Sequence, residues 1–272
     1  MRYGLLADVH GNLPALQVAV AVLAQEGVDN LLCAGDLVGY GPQPNECIRM
    51  LAELKATCVA GNHDLLALGF IDDRRCGALA KATQDWTRHA LGSAEREFLT
   101  DLPRVAHKDE LVMAHGSLDD SQTYVRSGAR ATAELRLAGQ RWPTNRFLVL
   151  GHTHRQVVIG ETRGSQRLRS DTALLLKGSD RTLINPGSVG QSREREPRPR
   201  VRFAVLDTAQ RSVIPYVRDY DVTAARDLVA AHGLPEEVLH LRPKRAAVAR
   251  QALRRSGAAL TSVAAAAGRP RA

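Results

Sequence analysis

Five short clusters carry the residues of this chain whose types and spacing could do chemistry: Asp8-Val9-His10-Gly11-Asn12, Gly35-Asp36, Gly61-Asn62-His63-Asp64, His115-Gly116 and Gly151-His152-Thr153-His154. Their side chains are carboxylate, amide and imidazole, an oxygen and nitrogen set that suits Mn, Fe, Co or Zn better than Ca or Mg alone. Asp8 and His10 stand two apart, as do His152 and His154, so within an extended segment or a sharp loop each pair can reach one side and fork around an ion. The adjacent glycines let the backbone turn tightly near a cation and its substrate. A lone Asp-x-His or His-x-His, in a chain with nine histidines, is more often filling than ligand. Five such clusters in series point to a metal centre. His89, His107, His232 and His240 fall outside them and are read as ordinary.

Each cluster follows a short apolar run, which predicts strands near 2–7, 30–34, 56–60, 110–114 and 146–150. In open α/β sheets the crevice beyond the strand carboxyl ends takes the ligand, so five separate segments can converge there. Asn12-Leu13-Pro14-Ala15 offers an N-cap and an early proline ahead of Leu16, Val20 and Leu23 at helical spacing, which makes the start of the chain a βαβ unit. Further helices are expected over 44–54, 76–91, 94–100 and 130–139, and one capped by Asp221 runs to Ala231 before Gly233 and Pro235. From about residue 156 the pattern changes to short strands at 156–161, 172–177, 182–185, 201–206 and 211–217. This half is expected to form a second sheet packed on the first.

With its five clusters intact and in this order, the chain resembles the calcineurin-like metallophosphoesterases, whose motifs run Asp-x-His, Gly-Asp, Gly-Asn-His-Asp/Glu, His and Gly-His-x-His. The resemblance covers roughly residues 1–242 and is nearest in block spacing to the compact bacterial phosphodiesterase-like branch. Ile184-Asn185-Pro186-Gly187-Ser188-Val189-Gly190-Gln191 is similar to a turn that branch carries near its site, and Asp36-Leu37-Val38-Gly39-Tyr40-Gly41-Pro42 looks like its second-motif loop. The resemblance implies an α/β fold: a four-layer αββα sandwich of two mixed sheets with a dinuclear metal site at the strand carboxyl ends. It implies two divalent transition-metal ions, Mn first, with Fe, Zn, Co or Ni as alternatives. Asp8, His10 and His154 would bind one ion, Asn62, His115 and His152 the other, and Asp36 would bridge them. His63 would be catalytic rather than a ligand, steadying the phosphoryl group or protonating the leaving oxygen, with Asn62 also touching substrate.

Two cations ~3.5 to 4 Å apart can hold a bridging hydroxide and clamp phosphate oxygens for in-line displacement, so the function implied is hydrolysis of a small, nucleotide-like phosphodiester or phosphoanhydride. A phosphomonoesterase or protein phosphatase of the same family is the alternative within the class. In that branch, and in symmetrical dinucleoside tetraphosphatases, the second motif continues to Asp-Arg-Gly, where this chain has Gly39-Tyr40-Gly41. No acidic partner for His63 is therefore read from the sequence, and Asp64 is either a loop orienter or a helix-start cap. A non-catalytic scaffold, as in retromer-type assemblies, is the alternative outside it; such scaffolds lack the histidine that His63 supplies here. Arg193 and Arg195 could reach a phosphate, but they alternate with Glu194 and Glu196, and a solvated charged turn is the plainer expectation. Tyr40 and Tyr124 could line a base pocket or simply pack.

Charge separates the chain into two regions. Residues 1–192 hold 21 basic and 21 acidic side chains and residues 193–241 hold 8 of each, whereas residues 242–272 hold eight basic and no acidic ones, so the whole formal charge of +8 lies in the last segment. Residues 1–242 are therefore expected to be the catalytic domain, and 243–272 a basic Ala/Arg-rich tail, disordered or partly helical over Ala246–Arg255. Such a tail could meet nucleic acid or another acidic partner, but it lacks aromatic residues for stacking. The longest apolar runs fall far below the ~20 residues of a membrane span, and Asp8 interrupts any signal-peptide core, so a cytoplasmic location without membrane contact is expected. Cys33, Cys47, Cys58 and Cys76 show no metal spacing and are read as reduced core residues.

Overall fold

The computed structural model describes residues 1–176, 178 and 180–241. Its strands are β1 (Arg2–Leu6), β2 (Asn30–Cys33), β3 (Thr57–Cys58), β4 (Val105–Lys108), β5 (Leu111–Ala114), β6 (Phe147–Val149), β7 (Gln156–Gly160), β8 (Gly164–Ser165), β9 (Leu174–Leu175), β10 (Thr182–Pro186), β11 (Val201–Asp207) and β12 (Ser212–Arg218). The helices are α1 (Leu13–Gln25), α2 (Pro44–Glu53), α3 (Asn62–Leu68), α4 (Ala78–Ala90), α5 (Ser93–Thr100), α6 (Gly128–Arg141) and α7 (Val222–Ala231), with one 3-10 turn at Glu236–Val238. The basic segment 243–272, including the helix expected over Ala246–Arg255, lies outside the described residues.

Two six-stranded mixed sheets form, in the orders β3-β2-β1-β11-β12-β9 and β4-β5-β6-β10-β7-β8. Strand alternation stacks them. Tyr3, Leu5 and Ala7 of the first sheet meet Met113, Val149 and Val158 of the second in one inner core. The intervening residues turn outward: Leu6 and Val205 pack under α1 and α2, with Leu16, Leu23, Ile48 and Leu51. On the other side Val112, Leu148 and Ile159 pack under α6, with Ala131, Leu135 and Ala138. A period of two in the strands and of 3.6 in the helices thus gives four layers, αββα. Burying each of these aliphatic side chains stabilises the fold by about 1.5–3 kcal/mol.

The sheets do not divide by sequence halves, which corrects the expectation that residues from 156 onward form a sheet of their own. β10 inserts beside β6 in parallel, while β11 and β12 return to the first sheet, with β11 antiparallel to β1. The reason is the edge of β1. Its first edge is taken by β2 in parallel, and the buried N–H and C=O groups of the second edge need partners that β11 supplies. β4 and β8 lie outside the expected strands; α3, which only the helix-start reading of Asp64 allows for, spans seven residues and buries six of them, Asn62 to Ala67, so it shows no amphipathic period. The strand expected at 172–177 contracts to Leu174–Leu175. As expected, Asn12 caps α1, its Oδ1 accepting from the Ala15 N–H at 3.2 Å. The cysteines carry no disulfide; Cys33, Cys47 and Cys58 are buried and Cys76 is half-buried.

Candidate metal centre

β1, β2 and β3 run parallel in one sheet, and β5, β6 and β10 in the other. The five clusters follow the carboxyl ends of β1, β2, β3, β5 and β6, and the 187–191 turn follows β10. Five ligand candidates occupy left-handed backbone: Asp8 (φ 54°), His10 (51°), Asp36 (55°), His152 (63°) and His154 (56°). Non-glycine residues held there cost of order 1–3 kcal/mol each and persist only where surroundings fix them. Gly61 is required by this crowding, since a side chain there would run into the Asp36 carboxylate.

The structure brings all seven predicted ligands into one buried cluster. Asp8, His10, Asp36 and His154 offer ligand atoms within 4.8 Å of one another, and so do Asp36, His115 and His152. Asn62 joins through Oδ1, 3.1 Å from His115 Nε2. Backbone groups fix the orientation of nearly every member. His10, His115 and His154 donate from Nδ1 to the carbonyls of Val38 (3.1 Å), Ala34 (2.7 Å) and Gln191 (2.8 Å), which leaves Nε2 facing the cleft. His152 is turned the other way, with Nε2 donating to the Gln122 carbonyl at 3.2 Å, so its Nδ1 is the free nitrogen. Asp8 Oδ1 accepts from the His152 N–H (3.0 Å) and Asp36 Oδ1 from the His63 N–H (2.8 Å).

The atoms left over show that cations fit. With both Nδ1 atoms committed as donors, His10 Nε2 and His154 Nε2 present lone pairs to one another at 3.2 Å. Among the described residues the second oxygen of Asp8 is buried without a hydrogen-bond partner, and that of Asp36 meets only imidazoles. Such groups are costly unless a charge of the opposite sign lies among them. Burial pushes the Asp8 carboxyl up to about 7 and His152 down to about 2, and it lowers His10 and His154 well below their ordinary range. Burial opposes charge on Asp36 and His115 as well, but their mutual attraction overrides it: Asp36 is held well below the usual carboxylate range and His115 is raised to about 9. His115 Nε2 stands 3.1 Å from Asp36 Oδ2. Neutral imidazoles and ionised carboxylates are the forms that ligate metals, so a cation bound here would displace the protons that Asp8 and His115 hold in its absence; the donor set suits divalent ions.

His63 lies beside the ligands, its ring 4.8 Å from His10 and 4.4 Å from Tyr40. Burial lowers its pKa to about 4, and Nδ1 has no partner among the described residues. Gly39, where the family's other branches place an Asp-Arg-Gly, has φ 84°, and a side chain there would strike the His63 ring. Asp64 fulfils both roles considered for it, accepting from the Gly61 N–H at the start of α3 (2.8 Å) and from Val38 N–H in the second-motif loop (3.1 Å). The 184–191 turn braces the centre: Ser188 Oγ donates to the Asp8 carbonyl (2.9 Å) and Asn185 Nδ2 to that of Gly151 (2.6 Å).

The two arginines of the charged turn part company. Arg195 is exposed, as expected, but Arg193 is half-buried, with Nε donating to Gln191 Oε1 at 3.0 Å. Glu196 does not pair with either; it binds Arg200 and Arg202. Tyr40 packs, buried, against His10 and His63, whereas Tyr124 is 40% exposed and stacks on His152 at 3.8 Å. Sequence reading gave Tyr124 no set place and missed Arg126, whose guanidinium lies 3.8 Å over the Tyr124 ring. His107 stacks on Trp142 and His232 meets Trp86, away from the site.

Two sheets whose parallel strands aim carboxylates and imidazoles into one cleft build a phosphoric ester hydrolase. The chain belongs to the calcineurin-like phosphoesterase superfamily, whose domain model matches residues 1–211. It is 26% identical over 238 residues to an uncharacterized protein of Methanocaldococcus jannaschii, spanning 85% of this chain and 93% of that protein. The symmetrical bis(5'-nucleosyl)-tetraphosphatase of Ectopseudomonas mendocina is 31% identical over 137 residues, 46% of this chain and 48% of that enzyme. Among solved structures, a metallophosphoesterase from Sphaerobacter thermophilus aligns with a TM-score of 0.73 at 28% identity, covering 88% of this chain and 96% of that one. Among the described residues no helix is long and apolar enough to cross a membrane.

Proposed function

We propose that residues 1–242 hydrolyse a small, nucleotide-like phosphodiester or phosphoanhydride at a dinuclear metal centre, with the basic tail outside the chemistry. One observation carries this reading: two ligand groups, Asp8, His10, Asp36, His154 and Asp36, His115, His152, share the Asp36 carboxylate. In it Asp36 bridges, Asp8, His10 and His154 serve one ion, and Asn62, His115 and His152 serve the other. Two divalent ions bound there, Mn first among them, would neutralise phosphoryl charge and lower the pKa of water.

The chain's own part is positioning. Backbone carbonyls at Ala34, Val38, Gln122 and Gln191 hold four imidazoles in the tautomers that turn a bare nitrogen inward. His63, neutral and held between His10 and Tyr40, steadies the phosphoryl oxygens or passes a proton to the leaving oxygen. An open groove of about 850 Å³, lined in part by Phe70, Arg75, Arg88 and Gln122, adjoins the loop that orients His152 and gives a leaving group room. The partial match to tetraphosphatases supports the phosphoanhydride arm.

The test is hydrolysis of bis-p-nitrophenyl phosphate by Mn-loaded protein, with metal content measured for the wild type and Asp36→Asn. Hydrolysis and a loss of bound metal in the variant are expected. No hydrolysis together with unchanged metal content would sink the reading.

A further inference from the structure

Residues 1–241 balance their charges, yet three arginines gather beside the metal centre. Arg193 Nη1 stands 3.5 Å from the Tyr124 hydroxyl, and Arg126 covers the Tyr124 ring. Arg155 follows His154 and adds its charge to theirs, so that burial, Arg193 and Arg155 together lower the Arg126 pKa. Among the described residues none of the three has an Asp or Glu oxygen within 4.0 Å. Burial opposes the charge of Arg193, but Tyr40, Tyr124 and Asp8 favour it; with no carboxylate in contact with any of the three, guanidiniums so placed attract an anion between them.

The arginines rest on a packed support. Tyr124 stacks on His152 at 3.8 Å and 24°, while Arg126 lies 3.8 Å from the same ring centroid, so the two occupy opposite faces. With both faces covered, Tyr124 has none free to stack a base; it serves as a strut. Arg193 is anchored through Gln191, whose carbonyl accepts from His154 Nδ1. Each guanidinium is thereby indexed to a metal-ligand histidine, Arg126 to His152 and Arg193 to His154. A guanidinium is the side chain best matched to phosphate oxygens in pairs.

We propose that Arg193 and Arg126, braced by Tyr124 and Gln191, form a second phosphate subsite beside the metal centre that selects substrates with two or more contiguous phosphates, an inference that rests on the hydrolase reading above and narrows its substrate class. In the reaction, water adds its oxygen to the attacked phosphorus and the bridging P–O bond breaks. The bridging oxygen leaves with the electron pair on the neighbouring phosphate, whose charge the two guanidiniums neutralise, and the water proton passes to that oxygen or to solvent. A simple monoester or diester fills only the metal-side position.

Two measurements on the full-length protein test this. The first compares kcat/KM of Mn-loaded wild type, Arg193→Met, Arg126→Met and Tyr124→Phe on diadenosine tetraphosphate and on bis-p-nitrophenyl phosphate. Each arginine variant is expected to lose roughly ten- to a hundred-fold on the tetraphosphate, as for a lost charge-assisted hydrogen bond, and under about threefold on the diester. Tyr124→Phe, which keeps the stacking, should fall between. Equal losses on both substrates, or none on the tetraphosphate, would overturn the proposal. The second measures calorimetric affinity for methylenediphosphonate, which is not hydrolysed, and for methylphosphonate. The double variant should weaken the first by about tenfold or more and the second by under about threefold; equal changes again overturn it. Selective diphosphonate binding by a wild type that hydrolyses neither ester would uphold the subsite and reject the hydrolase reading.

Discussion

Glu196 offers a sharp test of how the site-bearing turn is held. Its carboxylate is 6% exposed and accepts from Arg202 Nη1 and Nη2 at 2.9 and 3.0 Å, Arg200 Nε at 2.8 Å and Ser192 Oγ at 2.6 Å. Arg202 is itself buried, so Glu196→Ala strands a guanidinium on a sheet strand. Breaking a buried charged network from one side costs about 3–5 kcal/mol. At about 2–4 °C per kcal/mol for a chain of this size, the melting midpoint should fall by roughly 6–20 °C. Burial works to raise the Glu196 pKa, but hydrogen bonds from Arg202, Ser192 and Arg200 hold it at about 2, against 4.5 for the free group. A depressed folded pKa gives stability that is fully present above pH 4.5 and is lost as pH falls towards 2. Urea denaturation of wild type and Glu196→Gln between pH 7 and pH 3 should therefore show a steeper acid loss in the wild type. A variant that loses less than about 1 kcal/mol, or keeps the wild-type pH slope, would refute the account.

Two further predictions follow from the centre itself. Gly39→Ala adds a side chain against His63 at φ 84°, so kcat on bis-p-nitrophenyl phosphate should fall at least tenfold while bound metal, read by mass spectrometry, stays unchanged. Chelation should lower the melting midpoint, because His10 and His154 are left with facing lone pairs; restoring Mn to a hundred times its Kd should return about 2.7 kcal/mol, and a midpoint indifferent to metal would contradict the fit.

What could be read from sequence followed from local chemistry. The five clusters, the strands before them and the cap at Asn12 all rest on neighbours in the chain. The partial burial of Arg193 is not legible, because the alternation with Glu194 and Glu196 reads as a solvated charged turn, whereas Glu196 turns to Arg200 and Arg202. Tyr124 is legible only as a residue that lines a pocket or packs, and Arg126 gives no signal, since what places both is His152, brought close only by the fold. The carbonyls that set the histidine tautomers are invisible in sequence, because every residue has one. The two-sheet partition was hidden for a related reason: β11 pairs with β1, and nothing local in either strand names its partner.

That pairing also makes the site depend on a distant part of the chain. Every candidate ligand precedes residue 155, yet β1, which leads into Asp8 and His10, takes its second edge partner from Ala204 to Asp207, opposite Leu5 to Arg2. Five ligand residues sit in backbone conformations that only a finished scaffold can impose. A chain cut before β11 would keep all seven candidate ligands and lose the partner of the strand that leads into two of them. The geometry of the proposed metal centre is thus completed by a strand that carries none of its candidate ligands.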